Sequence, residues 1–139
     1  MRSKIFIDTS AWLAVYIPTE KQHQRVSTLV KQAVKSGTTL YTSNYISDET
    51  ITRLLYDTDW PITKRFIQYY QKSVSQRTLV SLWVDEQCET EALVYLEKYH
   101  EHRLSLTDAT SIVLVKRYTI DAILTLDSDF TKVGLRVLQ

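Results

Sequence analysis

Apolar residues along this chain fall into two patterns, short continuous runs and longer segments with helical spacing. Continuous apolar runs without polar alternation are typical of strands buried on both faces. Residues 4–8 show this pattern, and residues 38–43, 79–84, 120–126 and 135–138 are the other predicted strands. Between them, apolar residues recur three and four positions apart, which predicts amphipathic helices, as in Val26, Leu29 and Val30. The pattern therefore predicts about five strands that alternate with helices.

Capping and breaking residues set the limits of six predicted helices. For the first two helices these are Thr9 and Ser10 as caps, Pro18 as an end and Gly37 as a stop. Asn44 is the predicted cap of the third helix. A turn at 57–61 precedes the fourth helix, which is predicted from Thr63 to about Ser75. Asp85 is the predicted cap of the fifth helix, and Asp108 is the predicted start of the sixth. Strands that alternate with helices favour a parallel sheet covered on both faces. We therefore expect residues 1–139 to form one α/β domain, a three-layer α/β/α sandwich whose central, mainly parallel sheet has about five strands.

Composition narrows the possible functions without choosing one. The two glycines, Gly37 and Gly134, cannot form a glycine-rich phosphate loop, and the single cysteine, Cys88, cannot form an internal disulfide. The three histidines lack metal-binding spacing, which disfavours a zinc site. No apolar run is long enough to cross a membrane, and the first residues do not resemble a signal peptide. The sequence predicts a soluble cytoplasmic protein, and its net charge of +1 does not identify a partner.

Four carboxylates stand where predicted elements begin or end, and they are the candidate catalytic residues. They are Asp8, Glu49, Asp108 and Asp127. Ligands of parallel sheets gather at the carboxyl ends of the strands, so we expect these side chains to converge there. Burying a charge is costly unless a cation or hydrogen bonds offset it. An all-oxygen group of this kind suits Mg²⁺ or Mn²⁺, which in turn can activate water for phosphodiester hydrolysis.

Each acid except Asp8 also has a simpler structural explanation. Asp108 can form a capping box with Ser105, and Glu49 can be an ordinary acid near a helix start. Asp127 can be a turn residue. Asp8 is harder to explain, because a carboxylate that ends an apolar strand rarely arises for stability. The residues alone leave two choices open, Asp48 or Glu49 at one position and Asp127 or Asp129 at another.

The order of these motifs along the chain resembles that of the PIN domain nuclease family, and most closely its VapC-type toxins. The matching segments are Ile5-Phe-Ile-Asp8-Thr-Ser10, Ser47-Asp-Glu49, Leu106-Thr-Asp108-Ala109 and Leu124-Thr-Leu-Asp127-Ser-Asp129-Phe130. The resemblance implies a Mg²⁺- or Mn²⁺-dependent ribonuclease that leaves 5′-phosphate and 3′-hydroxyl ends. It implies Asp8, Asp108 and Asp127 as metal ligands, with Glu49 completing the catalytic quartet. The assisting residues that it implies are Ser10 and Thr125, which orient the carboxylates or bound water, and Asp129.

The same resemblance implies partners. VapC-type toxins cleave RNA, pair with a small antitoxin protein and commonly form homodimers, and the aromatic-rich third and fourth helices would suit either protein contact. Arg53 and Arg103 lie near the motifs and are candidates for contacts with RNA phosphates. For both arginines, a role as an ordinary solvated residue is the simpler explanation.

Three other functions are compatible with acids at strand ends. One is a PIN-like module that binds RNA or protein without cleaving it, although such a module has no need of clustered acids. A phospho-accepting signalling domain could use Asp85, but it normally has adjacent acids after its first strand, where this chain has Thr9. A phosphatase with Asp8 as nucleophile generally needs a second acid two residues later, where this chain has Ser10.

Overall fold

Alternating strands and helices make up the computed structural model of the chain, which describes residues 2–138. The first half comprises β1 (Lys4–Ile7), α1 (Thr9–Tyr16), α2 (His23–Lys35), β2 (Thr39–Ser43), α3 (Asn44–Asp57) and α4 (Trp60–Ser75). The second half comprises β3 (Leu79–Leu82), α5 (Glu86–Lys98), α6 (Leu106–Arg117), β4 (Ala122–Leu124), α7 (Asp129–Lys132) and β5 (Val137–Leu138). A short 3₁₀ turn at His100–His102 precedes α6.

The five strands form one parallel sheet in the order β3-β2-β1-β4-β5. The connections from β1 to β2 and from β2 to β3 run in one direction, whereas the connection from β3 to β4 runs in the other. Because such crossovers are right-handed, α1 to α4 cover one face of the sheet and α5 and α6 cover the opposite face. The helix contacts agree, since α1 packs on α2 and α3, and α5 packs on α6. The predicted three-layer α/β/α sandwich is confirmed.

Apolar residues of β1 and α6 occupy the centre of the molecule. Phe6 and Ile7 are fully buried, and every residue of α6 from Ala109 to Val115 is buried. Trp12 of α1 and Phe66 of α4 pack in an edge-to-face arrangement, with 5.5 Å between the ring centroids. Aromatic pairs of this kind contribute about 0.5–1.5 kcal/mol beyond the burial of their area. The strand that ends at Asp8 and the helix that carries Asp108 are therefore anchored in the core.

The starts of three helices differ from those predicted from the sequence. Ser43, not Asn44, caps α3, because its hydroxyl accepts a hydrogen bond from the Ile46 backbone N–H. The fourth helix begins at Trp60 rather than Thr63, since Asp59 provides the cap and a proline is tolerated in the first turn. The prediction that Asp108 opens α6 is also wrong, because Ser105 caps a helix that begins at Leu106.

Other predicted limits of the elements have mixed outcomes. Gly37 follows α2 with a φ of 79°, a conformation that glycine adopts without strain, and Asp85 caps α5 as predicted. Neither Thr9 nor Ser10 caps α1, because both already lie in the helix and Asp8 occupies the N-cap position. The fourth strand is shorter than residues 120–126, and the short helix α7 was not predicted.

Within residues 2–138, no helix has both the length and the apolar character needed to cross a membrane.

Candidate active site

An acidic cavity of about 320 Å³ lies at the carboxyl edge of the sheet, beside β1 and β4. These two neighbouring strands stand where the direction of the chain connections reverses, which is the position where open parallel sheets bind ligands. The cavity is lined by all four predicted acids, Asp8, Glu49, Asp108 and Asp127. Residues from four separate parts of the sequence therefore converge on one concave surface.

Asp8 is the most buried of the four acids. Its backbone N–H donates to the Leu124 carbonyl at 3.0 Å, which continues the pairing of β1 with β4, and the residue is only 5% exposed. Burial raises the pKa of its carboxyl group to about 7, although the Thr125 hydrogen bond acts in the opposite direction. The nearby carboxylates of Asp108 and Glu49 raise this pKa further. Asp8 therefore carries a charge that the fold itself disfavours.

A hydroxyl network fixes the orientation of the Asp8 carboxylate. Thr125 donates its hydroxyl to Asp8 Oδ2 at 2.7 Å, and the Ser10 hydroxyl lies 3.2 Å from the same oxygen. Ser10 in turn accepts a hydrogen bond from the Leu126 backbone N–H at 2.9 Å. Both hydroxyls reach the same oxygen, so among side chains of residues 2–138 no donor is bonded to Oδ1. Ser10 and Thr125, which the family resemblance implied as assisting residues, thus both form hydrogen bonds with the Asp8 carboxylate.

Asp108 has two roles in the geometry of the site. Its Oδ2 accepts the Ser105 backbone N–H at 3.0 Å while the Ser105 hydroxyl accepts the Asp108 backbone N–H, so the capping box is present. The same side chain lines the acidic cavity. Burial raises the pKa of Asp108, its hydrogen bonds with Ser105 lower it, and the charges of Asp127 and Glu49 raise it. The cap explains where the helix begins, but it does not remove the residue from the cavity.

In each of two pairs of neighbouring acids, the two carboxylates occupy different environments. Glu49 lines the acidic cavity and is half-buried, whereas Asp48 is exposed. Asp127 lines the cavity and its Oδ1 accepts the Asp129 backbone N–H at 2.9 Å. Asp129 instead forms an ion pair with Lys132 at 2.9 Å, and this hydrogen bond lowers the pKa of Asp129. Glu49 and Asp127 are therefore the members of each pair that face the other acids.

Sequence reasoning did not assign Glu20 or Thr9 to the acidic cavity, although both line it. Glu20 brings a fifth carboxylate from the loop after α1, where no periodic pattern or motif indicated a role. Thr9 was interpreted only as a helix cap, yet its buried hydroxyl has no hydrogen-bond partner in the described structure. An unpartnered hydroxyl beside a cluster of acids is a polar group that a bound water or ligand could satisfy.

The two arginines predicted near the site differ in their positions. Arg53 lines the acidic cavity, and its Nε forms an ion pair with Asp57 at 3.1 Å. Arg103 is exposed in the turn before α6, where it adopts a φ of 53°, and it lies outside the lining of that cavity. The structure therefore brings one of the two guanidinium groups to the acids.

The donor chemistry of the acidic cavity fits a hard divalent cation. Within residues 2–138, no group of three or more His, Cys, Asp or Glu side chains stands close enough to ligate a metal as arranged. Like-charged carboxylates repel one another, and a bound divalent cation offsets that repulsion. The lining offers carboxylate and hydroxyl oxygens, and no described ion pair involves Asp8. Oxygen ligands of this kind suit Mg²⁺ or Mn²⁺.

A larger cavity of about 530 Å³ lies away from the acids, between α1, α2 and α4. Apolar and aromatic side chains form most of its wall, and His23, Lys31, Lys35 and Arg65 add basic groups. It contains none of the acids described above, so its size does not make it the catalytic centre.

The fold and the acidic cavity define a doubly wound α/β protein with a carboxylate centre at the switch point of its sheet. The model of the PIN domain matches residues 5–135, and the chain belongs to this family. The structure is similar to the crystal structure of Mycobacterium tuberculosis VapC20, a toxin that cleaves the sarcin–ricin loop. The two share 24% identity with a TM-score of 0.81, over 94% of this chain and 95% of that chain. No curated protein sequence matches the chain. The predicted family and the PIN-like fold are thus confirmed.

Proposed function

We propose that the protein is a divalent-metal-dependent endoribonuclease that acts as the toxin of a toxin–antitoxin pair. The observation that carries this proposal is the convergence of Asp8, Glu49, Asp108 and Asp127 on one cavity. Membership of the PIN domain family supports a nuclease, and likeness to VapC20 supports RNA as the substrate. A site that concentrates negative charge at such a cost needs a cation to offset it.

The proposed roles follow from the positions of the side chains. Asp8, Asp108 and Asp127 would hold the Mg²⁺ or Mn²⁺ ion, with Glu49 as the fourth catalytic carboxylate beside them. Ser10 and Thr125 keep the Asp8 carboxylate in one orientation through their hydrogen bonds. Orientation of a ligand in this way commonly changes metal affinity or activity by about 10- to 100-fold. Asp129 would assist indirectly, because its backbone N–H fixes Asp127.

The chemistry proposed for the site is hydrolysis of a phosphodiester bond. When bound, the metal ion lowers the pKa of a coordinated water and stabilises charge on phosphate oxygens. The carboxylates would hold the ion that offsets the charge of the reacting phosphate. The Leu126 backbone, whose N–H donates to Ser10, borders the cavity. Attack by water with departure of the 3′ oxygen would leave a 5′-phosphate and a 3′-hydroxyl.

RNA cleavage with and without metal tests this proposal. The purified protein should cut ribosomal RNA containing the sarcin–ricin loop, or another cellular RNA, when Mn²⁺ or Mg²⁺ is present. A chelator should abolish cleavage, and added Mn²⁺ should restore it, because the proposed hydrolysis depends on a metal-activated water. The ends should be mapped by sequencing. Cleavage that persists in chelator, or no cleavage of any cellular RNA with Mn²⁺, would contradict the proposed activity.

Glu49 and Asp48 provide a matched test of which acid acts in the site. We expect Glu49→Gln to reduce cleavage by about 10- to 100-fold, because its side chain lines the acidic cavity. Asp48→Asn should remain within about twofold of the wild type, because that side chain is exposed and lies outside the cavity. Initial rates at saturating Mn²⁺ measure both effects. A loss in Asp48→Asn with normal Glu49→Gln would reverse the assignment.

The protein has a separate surface for each of its two proposed protein partners, the antitoxin and a second copy of the chain. The basic and aromatic wall of the larger cavity would suit an antitoxin segment with apolar and acidic side chains, which supports the proposed pairing. Tyr56 and Trp60 at the junction of α3 and α4 are 80% and 55% exposed, which supports a contact with a second copy of the chain. Other aromatic residues of α4, such as Phe66, pack inward against α1 instead.

The alternative functions receive less support from the geometry. A module that only binds RNA or protein has no use for the buried charge of Asp8, whose pKa is raised to about 7 chiefly by burial. Asp85, the candidate phosphoacceptor, serves as the N-cap of α5 and lies outside the acidic cavity. The position two residues after Asp8 is Ser10, which supports the Asp8 carboxylate rather than supplying a second acid for phosphatase chemistry.

A further inference from the structure

A second, smaller cavity of about 180 Å³ adjoins the acidic one. Leu126 and Asp127 line both cavities, so this short segment forms the wall between them. Its backbone is held by the catalytic network, because the Leu126 N–H donates to Ser10 and the Asp127 N–H donates to Thr125. A strand of RNA bound at the acids and extending over this wall would enter the smaller cavity.

Arg25 supplies the cationic group of the smaller cavity. It lies in the first half of α2, and its Nε donates to Gln22 Oε1 at 2.7 Å. That hydrogen bond orients the guanidinium group and leaves its two terminal nitrogens as donors. In the described part of the chain, no ion pair involves Arg25. A guanidinium group so oriented, and not engaged by a carboxylate, matches the geometry of a phosphate.

The negative charge of the acidic cavity means that RNA binding would benefit from a cationic side chain nearby. Phosphates on either side of the scissile bond are repelled by the carboxylates unless basic groups lie along the path of the strand. Arg53 lies at the acidic cavity, but Asp57 pairs with it and offsets part of its charge. Arg25 lies across the Leu126–Asp127 wall, in the neighbouring cavity that also contains Ser128 and Val137.

We infer that Arg25 binds a phosphate adjacent to the scissile one, so that the RNA strand crosses the Leu126–Asp127 wall between the two cavities. This inference rests on the proposed ribonuclease function and assigns the substrate contact on one side of the site. Arg25 is a positioning residue, because it holds the strand without taking part in bond cleavage. Gln22 contributes by limiting the rotation of the guanidinium group. Together they extend the binding surface beyond the four carboxylates.

Binding of RNA to a cleavage-deficient protein tests this contact directly. The probe is a short, fluorescein-labelled single-stranded RNA, titrated by anisotropy into the full-length Asp8→Asn protein. Adding Arg25→Ala should weaken binding about tenfold and reduce the slope of log affinity against log salt by about 0.7, as expected for one lost phosphate contact on a single strand. Arg25→Lys should retain the salt slope but lose part of the affinity, because lysine cannot form the same fork.

The matched control is Lys31→Ala, which removes a positive charge from the same helix but from the larger cavity. It should leave RNA affinity within about twofold of the parent protein. In the otherwise wild-type enzyme, Arg25→Ala should raise KM about tenfold and leave kcat nearly unchanged, because the contact is equal in the ground state and the transition state.

Equal RNA affinity and equal salt slopes for Arg25→Ala and Lys31→Ala would overturn the inference. So would a lower kcat with an unchanged KM in Arg25→Ala, since that result would place the residue in the chemical step. Failure of the proposed function has a different signature, because the wild-type protein would then cleave no RNA with Mn²⁺. Cleavage by the wild type together with unaffected binding in Arg25→Ala would therefore count against Arg25 alone.

Discussion

Asp8→Asn is expected to abolish RNA cleavage and, at the same time, to stabilise the metal-free protein above pH 7. The loss of cleavage should be at least about a hundredfold, because the substitution removes a proposed metal ligand. The gain in stability has a separate cause. Burial and neighbouring acids disfavour the charged form of Asp8, and an amide cannot acquire that charge. Its amide oxygen can still accept the hydrogen bonds of Thr125 and Ser10.

The pH dependence of this effect follows from the pKa of Asp8, which rises from 3.8 to about 7 on folding. A group whose pKa is raised by folding stabilises the protein below the unfolded value, and that stabilisation is lost as the pH rises through the folded value. The stability of the wild type should therefore fall between about pH 4 and pH 7 relative to that of Asp8→Asn. The difference should be near zero at about pH 4 and reach at most about 4 kcal/mol above pH 7.

Urea unfolding midpoints at about pH 4 and about pH 8, in buffer with chelator, measure this difference. Asp48→Asn is the matched control, because it removes an exposed acid that lies outside the acidic cavity, and it should show no such pH-dependent gain. If Asp8→Asn were less stable than the wild type at about pH 8, the charge of Asp8 would have to be stabilised by the fold. That result would remove the physical argument for a cation at the site.

Substitution of Asp108 is expected to cause the second large loss of cleavage. The contribution of Asp108 to helix capping can be measured separately from its proposed contribution to the active site. Asp108→Asn should reduce cleavage at least about a hundredfold while leaving the fold nearly intact, since its amide oxygen can still accept the Ser105 backbone N–H. Ser105→Ala removes the other half of the capping box and should cost about 1 kcal/mol of stability. Its cleavage rate should fall by much less than that of Asp108→Asn.

Thermal unfolding and initial cleavage rates, measured on both variants, make the comparison. The expected pattern is a stable but inactive Asp108→Asn and a less stable but active Ser105→Ala. If both variants lost activity only in proportion to lost stability, Asp108 would be a helix cap without a catalytic role.

The sequence predicted the features that depend on local pattern. Asp8 was recognisable because a carboxylate ended an apolar run, and Gly37 because a helix stop in the left-handed region favours glycine. Neighbouring polar residues that can each cap a helix were harder to separate. Ser43 and Asn44 are both good N-cap residues. The local pattern does not say which of the two occupies the N-cap position of α3.

The remaining parts of the site depend on tertiary contacts. Glu20 and Arg25 have no motif, and they reach the cavities only because α1 and α2 pack beside the edge of the sheet. Asp127 lines the acidic cavity, whereas Asp129 pairs with Lys132 within α7, a short helix that the sequence did not indicate. The positions of Glu20 and Arg25 arise from packing between segments that are distant in sequence, which short-range periodicity does not encode.

Calorimetric titration of Mn²⁺ into the purified protein tests the central claim most directly, because it measures metal binding without requiring the correct RNA. The four carboxylates should give saturable binding to the wild type near neutral pH. Asp8→Asn and Asp108→Asn should each weaken that binding at least about tenfold, and Asp48→Asn should leave it unchanged. Saturable Mn²⁺ binding that is equal in the wild type and Asp8→Asn, or no binding to the wild type, would contradict the assignment of this cavity as a metal-dependent active site.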